Sequence, residues 1–250
     1  MISVTGILGL GGLGLFVLLL ALLSLWGRKR PARLLRELPG FARLPQAIGL
    51  SVEAGKRLHI TLGRGNPLNS QIASALVGLG ILERTTRLAS VSDNPPVATS
   101  GDGVLAVLSQ DTLRSTFRAV GATGQYQPIF GRATGLTAFS YAAGTMPVIS
   151  DEQVATTVCA GHFGAEVGLI LEAAQRQNNT VIAGSDNLSG QAVMVAAAQE
   201  PLIGEELFAA GAYLRQGQIQ STSLLVQDIF RWLLIAALIT GAIIKFFGFL

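Results

Sequence analysis

Residues 97–102 read VATSGD and residues 181–186 read VIAGSD. Each is a short run of apolar and β-branched residues that closes on small residues and an aspartate, and each leads into a stretch with helical spacing. Two βα units of one sheet look like this. Working outward, residues 58–62 (LHITL), 136–142 and 180–183 read as further strand segments, and 154–160 is open between strand and helix. Helical spacing covers 69–90, about 110–120, 166–177, 188–199 and 203–214, with Glu172 and Arg176 paired one turn apart. The alternation predicts an α/β fold, a Rossmann-like domain with a mixed or parallel sheet.

In such sheets ligands bind beyond the carboxyl ends of the strands, where helix amino termini offer free N–H groups to anions. The candidate ligand-binding residues are therefore Gly101, Asp102, Gly184, Ser185, Asp186 and Asn187. The plainer reading of the same residues is that Asp102 and Asp186 cap helices and the glycines make turns. Catalysis would most naturally draw on Cys159 or His162, which stand three apart in VCAGHFGAEVG beside Glu166. A cysteine nucleophile needs a base that lowers its pKa, and a metal needs three or four ligands. His59 is the only other histidine, and no spacing brings it near. No catalytic residue, metal site or cofactor is assigned on this basis, and an enzymatic role stays open with the weight against it. Walker A, Gly-x-Ser-x-Gly, His-Glu-x-x-His and EF-hand patterns do not occur. Gly9, Gly11 and Gly14 match a dinucleotide fingerprint in spacing only, because they lie in an apolar run with no strand before them.

Half of the 250 residues are hydrophobic and 13% are charged, against about 25% in ordinary soluble domains. Residues 44–223 hold only ten basic and thirteen acidic side chains. Part of that surface is expected to be covered by membrane or by other subunits. The formal charge of +3 is concentrated in residues 28–43, which carry six basic residues and one acid. The rest of the domain is mildly acidic and has no basic stripe interleaved with aromatics, so nucleic acid is not an expected partner. A single cysteine cannot form an internal disulfide.

Residues 2–26 contain no charge, more than the roughly 20 residues that cross a hydrocarbon core. Arg28, Lys29 and Arg30 follow at once, and by the positive-inside rule they mark the cytoplasmic side. A secretory signal would need a basic start and a small-residue cleavage site, and neither is present. A second span is expected to follow Arg231 and Trp232, with Lys245 near its far end as an anchoring cation. Arg33, Arg36 and Arg43, set among prolines and leucines, suit an interfacial segment on an anionic leaflet or an ordinary linker. The expected domains are a transmembrane helix at 1–27, a basic juxtamembrane linker at 28–49, a cytoplasmic α/β domain at 50–223, and an entry segment with a second transmembrane helix at 224–250.

LSVEAGKRLHITLG at 50–63, LSQDTLR at 108–114, AGSDNLSGQA at 183–192 and LIGEELFAAGAYL at 202–214 together resemble an uncharacterised family of bacterial membrane proteins. The resemblance implies a bacterial origin and a cytoplasmic domain between terminal transmembrane helices, and it implies no activity. The expectation is a doubly anchored, self-associating scaffold of a bacterial inner membrane. Both termini would lie outside, with the bilayer's anionic inner leaflet, further copies and another membrane protein as partners. The alternatives are a tethered module or enzyme for a nucleotide or anionic metabolite at the strand ends near Asp102 and Asp186, and a transporter or channel subunit.

Overall fold

The computed structural model describes residues 4–27, 36–66, 68, 70–90, 92–214 and 218–246. In chain order its elements are α1 (Val4–Gly27), α2 (Pro39–Glu53), β1 (Arg57–Gly63), α3 (Ile72–Leu88), β2 (Val97–Ser100), α4 (Gly103–Ala119), β3 (Gly131–Ala133) and α5 (Ala138–Asp151). There follow β4 (Val154–His162), α6 (Val167–Arg176), β5 (Thr180–Ser185), α7 (Leu188–Ala197), β6 (Glu200–Leu202), a 3-10 segment (Gly204–Ala209), α8 (Ala210–Tyr213) and α9 (Gln218–Phe246). Glu37–Leu214 form one compact unit, and the terminal segments form another.

The larger unit is α/β, built on a single six-stranded sheet of order β3-β2-β1-β4-β5-β6. Every pairing is parallel, so the sheet is not mixed. This is the strand order of a doubly wound Rossmann sheet, in which the winding reverses between β1 and β4. Right-handed crossovers then place helices on both faces. α2, α3 and α4 cover one face, and α5, α6 and α7 the other. Burial on both faces accounts for the strand composition, since β2 is buried throughout and β1 is buried after its first residue. Under α5 to α7, Cys159 and Ala183 pack with Phe163, Ile170, Leu171 and Met194.

On the β1 and β2 side that same face is polar. The His59 ring bonds Thr99 through Nε2 at 2.8 Å. Tyr141, fully buried on α5, shares a hydrogen bond with Thr61 and accepts one from the Gly63 N–H at 3.1 Å. Burial raises the Tyr141 phenol further above its ordinary range. Tyr141→Phe leaves the Gly63 N–H and the Thr61 hydroxyl without this partner, at a cost of about 1–3 kcal/mol. Thermal unfolding of the full chain in detergent should show a drop of about 2–4 °C for each of those kcal/mol. An unchanged midpoint would contradict the assignment.

Three expectations are corrected by the structure. Residues 136–142 are not a strand: Thr137 caps α5, accepting from the Ser140 N–H, and the helix runs on through Gly144 and Pro147. The α/β unit begins at Glu37 and ends at Leu214, not at 50 and 223. The apolar residues read as an interfacial segment are core, because Leu38, Phe41, Leu44, Ala47 and Ile48 are buried in this unit. Arg43, on α2, bonds Glu200. At the ends of the chain, one helix rather than two is long and apolar enough to cross a bilayer among the described residues, Thr222–Phe246. The described apolar stretch of α1, Gly9–Leu25, falls short of that length. Phe16 of α1 and Phe230 of α9 pack with ring centroids 5.8 Å apart. On α9, Arg231 pairs with Asp228 at 3.7 Å and Trp232 is exposed. Arg28, Lys29, Arg30 and Arg33 lie outside the described residues.

Candidate functional site at the reversal of strand order

The tips of β1 and β4 do not end in register. Thr61 is opposite Cys159, but Gly63 is opposite His162, so β4 carries one extra residue there. Gly63 and Gly161 absorb this irregularity with φ of +72° and +154°. The bulge sets His162 at the crevice where the strand order reverses, the place in such sheets that binds ligands.

Four strand tips meet around it. The His162 Nδ1 lies 2.7 Å from Oδ1 of Asp186, the residue that follows β5. Gln71, at the start of α3, accepts the Asn66 N–H on its Oε1 at 3.2 Å. Its Nε2 therefore faces the His162 Nε2, at 3.4 Å. An amide nitrogen can only donate, so the arrangement fits the tautomer in which Nδ1–H donates to Asp186 and Nε2 accepts. Arg64 follows β1. Its stem lies over Gly101, where an added Cβ would come within 2.3 Å of Cγ, and its Nε donates to Oε1 of Glu166 at 3.2 Å. Glu166 is buried and also accepts the Gly164 N–H at 3.0 Å. The Gln71 side chain does not cap α3, and among the described residues the first turn of that helix opens beside it.

The structure sorts the six residues nominated from the sequence. Asp102 accepts the Leu105 N–H at 3.0 Å and caps α4, while Asn187 accepts the Ser189 N–H at 3.0 Å and caps α7. Ser185 is fully buried, and its hydroxyl ties the Phe163 and Asn187 backbones together. Gly101 donates its N–H to the Gly63 carbonyl at 2.8 Å, and Gly184 packs against Leu202. Five of the six hold the frame. Only Asp186 enters the polar cluster, and it can do so because Asn187, not Asp186, caps α7. Of the residues weighed for catalysis, His162 and Glu166 belong to the cluster. Cys159 is buried beneath α5 to α7 with its thiol pKa pushed up by burial, and His59 bonds Thr99 within the sheet. Arg64 and Gln71 were missed by sequence reasoning. The signal for Arg64 was a charged residue held between Gly63 and Gly65 directly after a strand.

Residues 10–250 match the family described as a domain of unknown function, DUF6754. The chain belongs to the DUF6754 family. No curated protein and no solved structure matches it. In this DUF6754 chain the cluster consists of an imidazole oriented by a carboxylate, an amide, and an arginine paired with a second carboxylate. Among the described residues, no group of three or more His, Cys, Asp or Glu could hold a metal ion. The Asp186 carboxylate fixes the orientation of the His162 ring, with Nε2 as its acceptor on the Gln71 side. The Arg64 guanidinium and the open end of α3 are the groups suited to an anion.

Proposed function

We propose that this chain is a membrane-tethered module that binds a small anionic molecule, a nucleotide or another phosphorylated or carboxylated metabolite, in the crevice between β1 and β4. The observation that carries the reading is the convergence of Arg64, Gln71, His162, Glu166 and Asp186 on the point where the strand order reverses. Binding alone accounts for the arrangement. α9 is the tether, α1 is a second one, and the α/β unit faces the cytoplasm of a bacterial cell, with both termini across its inner membrane. The apolar run of residues 2–26 and the basic residues 28–30 after it support that topology. Lateral self-association as a scaffold draws its support from the charge-poor surface, but a crevice of converging polar groups is more than a scaffold needs.

Thermal unfolding of the full chain in mild detergent, in the presence of nucleotides, sugar phosphates and carboxylates in turn, tests this. A ligand at a hundred times its Kd stabilises by about 2.7 kcal/mol, which for a unit of this size is a rise of about 5–10 °C. The rise should vanish in His162→Ala and Gln71→Ala while their unliganded midpoints stay near that of the parent chain. If no anion raises the midpoint, the reading fails.

A further inference from the structure

In a parallel sheet every strand ends on one edge, and every helix that follows a strand starts there. On this carboxyl edge stand the four most exposed large apolar side chains among the described residues of the α/β unit: Leu188 at 80%, Leu68 at 79%, and Leu136 and Phe139 at 72% each. They come from three strand-to-helix connections, after β5, β1 and β3. The charge pattern runs the same way. Residues 72–82, 103–110, 138–150 and 188–197, the first turns of α3 and α4, nearly all of α5 and the whole of α7, hold no charged residue. The charges of α3 and α4 are Glu83, Arg84, Arg87, Asp111, Arg114 and Arg118, all at or beyond the middle of the helix, toward the opposite edge. Four carboxylates of the carboxyl edge are engaged internally: Asp102 and Glu206 with backbone N–H groups, Glu166 with Arg64, and Asp186 with His162.

Both ends of the unit leave from this edge. α2 runs toward the start of β1, so its first residue is at the carboxyl edge, and Phe41 stacks on Tyr213 with centroids 5.6 Å apart. Three residues separate Leu214 from Gln218, an extended reach of at most about 14 Å. The apolar span begins at Thr222, about 6 Å further along a helix.

We infer that the carboxyl edge of the sheet is a membrane-docking surface, with Leu68, Leu136, Phe139 and Leu188 set into the headgroup region of a bilayer. The occupant argued for is lipid and not a soluble partner, because only seven residues, 215–221, lie between Leu214 and the apolar span that begins at Thr222. The mouth of the β1/β4 crevice opens on the same edge. The inference rests on the reading that α9 enters a bilayer, and not on the identity of any crevice ligand.

The test uses the full chain reconstituted into vesicles of neutral and anionic phospholipid, with an environment-sensitive fluorophore on one introduced cysteine at a time. Cys159 is buried and is spared by the label. The docking positions are Phe139→Cys and Leu188→Cys, the controls on the opposite half are Lys56→Cys and Arg118→Cys, and Leu238→Cys reports on α9. Apolar faces at an interface sink about 5–10 Å, so nitroxide lipids should quench positions 139 and 188 about twofold or more and leave 56 and 118 unchanged. Quenching at 238 with none at 139 and 188 overturns the docking surface and leaves the tether intact. No quenching at 238 overturns both. Positions 139 and 188 shielded from nitroxide lipid and aqueous quencher alike would place a second copy of the chain on this edge, and equal quenching at all positions would remove the distinction between the edges.

Discussion

Gly161→Ala should leave the α/β unit unable to hold its native sheet. A Cβ at Gly161 would sit 2.1 Å from the Leu62 carbonyl oxygen and 2.8 Å from its carbon, and both are backbone atoms of the neighbouring central strand. Its φ of +154° is one that side chains with a Cβ rarely adopt. Relief requires β1 and β4 to part at the middle of the sheet. Backbone strain and overpacking each cost about 1–3 kcal/mol in milder settings, so about 4 kcal/mol or more is expected here. That is a large share of the roughly 5–15 kcal/mol that holds a typical domain folded. Cys159, buried two residues away, supplies the readout: its thiol should react with a maleimide without denaturant in the variant and stay protected in the parent. Gly103→Ala is the control, since nothing lies within 4 Å of the added carbon and the residue opens a helix. A Gly161→Ala chain with Cys159 protected and an unchanged unfolding midpoint would show that the bulge has room for a methyl group.

The second large effect is on acid stability. His59 is fully buried, and its pKa is pushed down to about 3, first by burial and then by the charge of Arg132. The unfolded chain takes up a proton near the ordinary value of 6.5, and the folded chain does not until about pH 3. Between those values the unfolded state binds more protons, so stability falls as pH falls. The full contribution is present above about pH 6.5 and is lost progressively toward pH 3. From pH 7 to pH 5 the loss from this group is about 2 kcal/mol. Other groups titrate over the same window, so the measurement is a comparison. Denaturation midpoints at pH 7 and pH 5 should fall further for the parent chain than for His59→Gln, which has no proton to gain. Equal falls would mean that the ring is accessible to solvent or protonated in place.

These two results concern residues whose importance was legible to very different degrees. In the sequence His59 was only a histidine in an apolar strand, LHITL, and Gly161 one of 30 glycines. The strand itself was plain, as were β2 and β5 and the helices α6 and α7, because short β-branched runs and 3.6-residue spacing are local properties. α5 was misread because Phe139, Tyr141 and the small residues around them favour an extended chain. Its start depends on a capping hydroxyl, and its course on packing. α2 was misread because Pro39 and Pro45 disguise the spacing of Phe41, Leu44 and Ile48, which turn out to fill the core. β3 and β6, three residues each, are strands only because a neighbour is there to pair with.

The sequence by itself determined the α/β class, the repeated strand–turn–helix units around VATSGD and VIAGSD, the apolar termini, and the poverty of charge in the domain. All of these follow from composition and from periods of two and 3.6 residues, which a chain carries whether folded or not. Only the tertiary structure decided which polar groups meet. Arg64 and Glu166 are 102 positions apart, and His162 reaches Asp186 because one extra residue at the tip of β4 places the ring in the crevice between β1 and β4. It also gathered Leu68, Leu136, Phe139 and Leu188 onto one edge, since a parallel sheet brings every strand-to-helix turn to the same side, whatever its place in the chain.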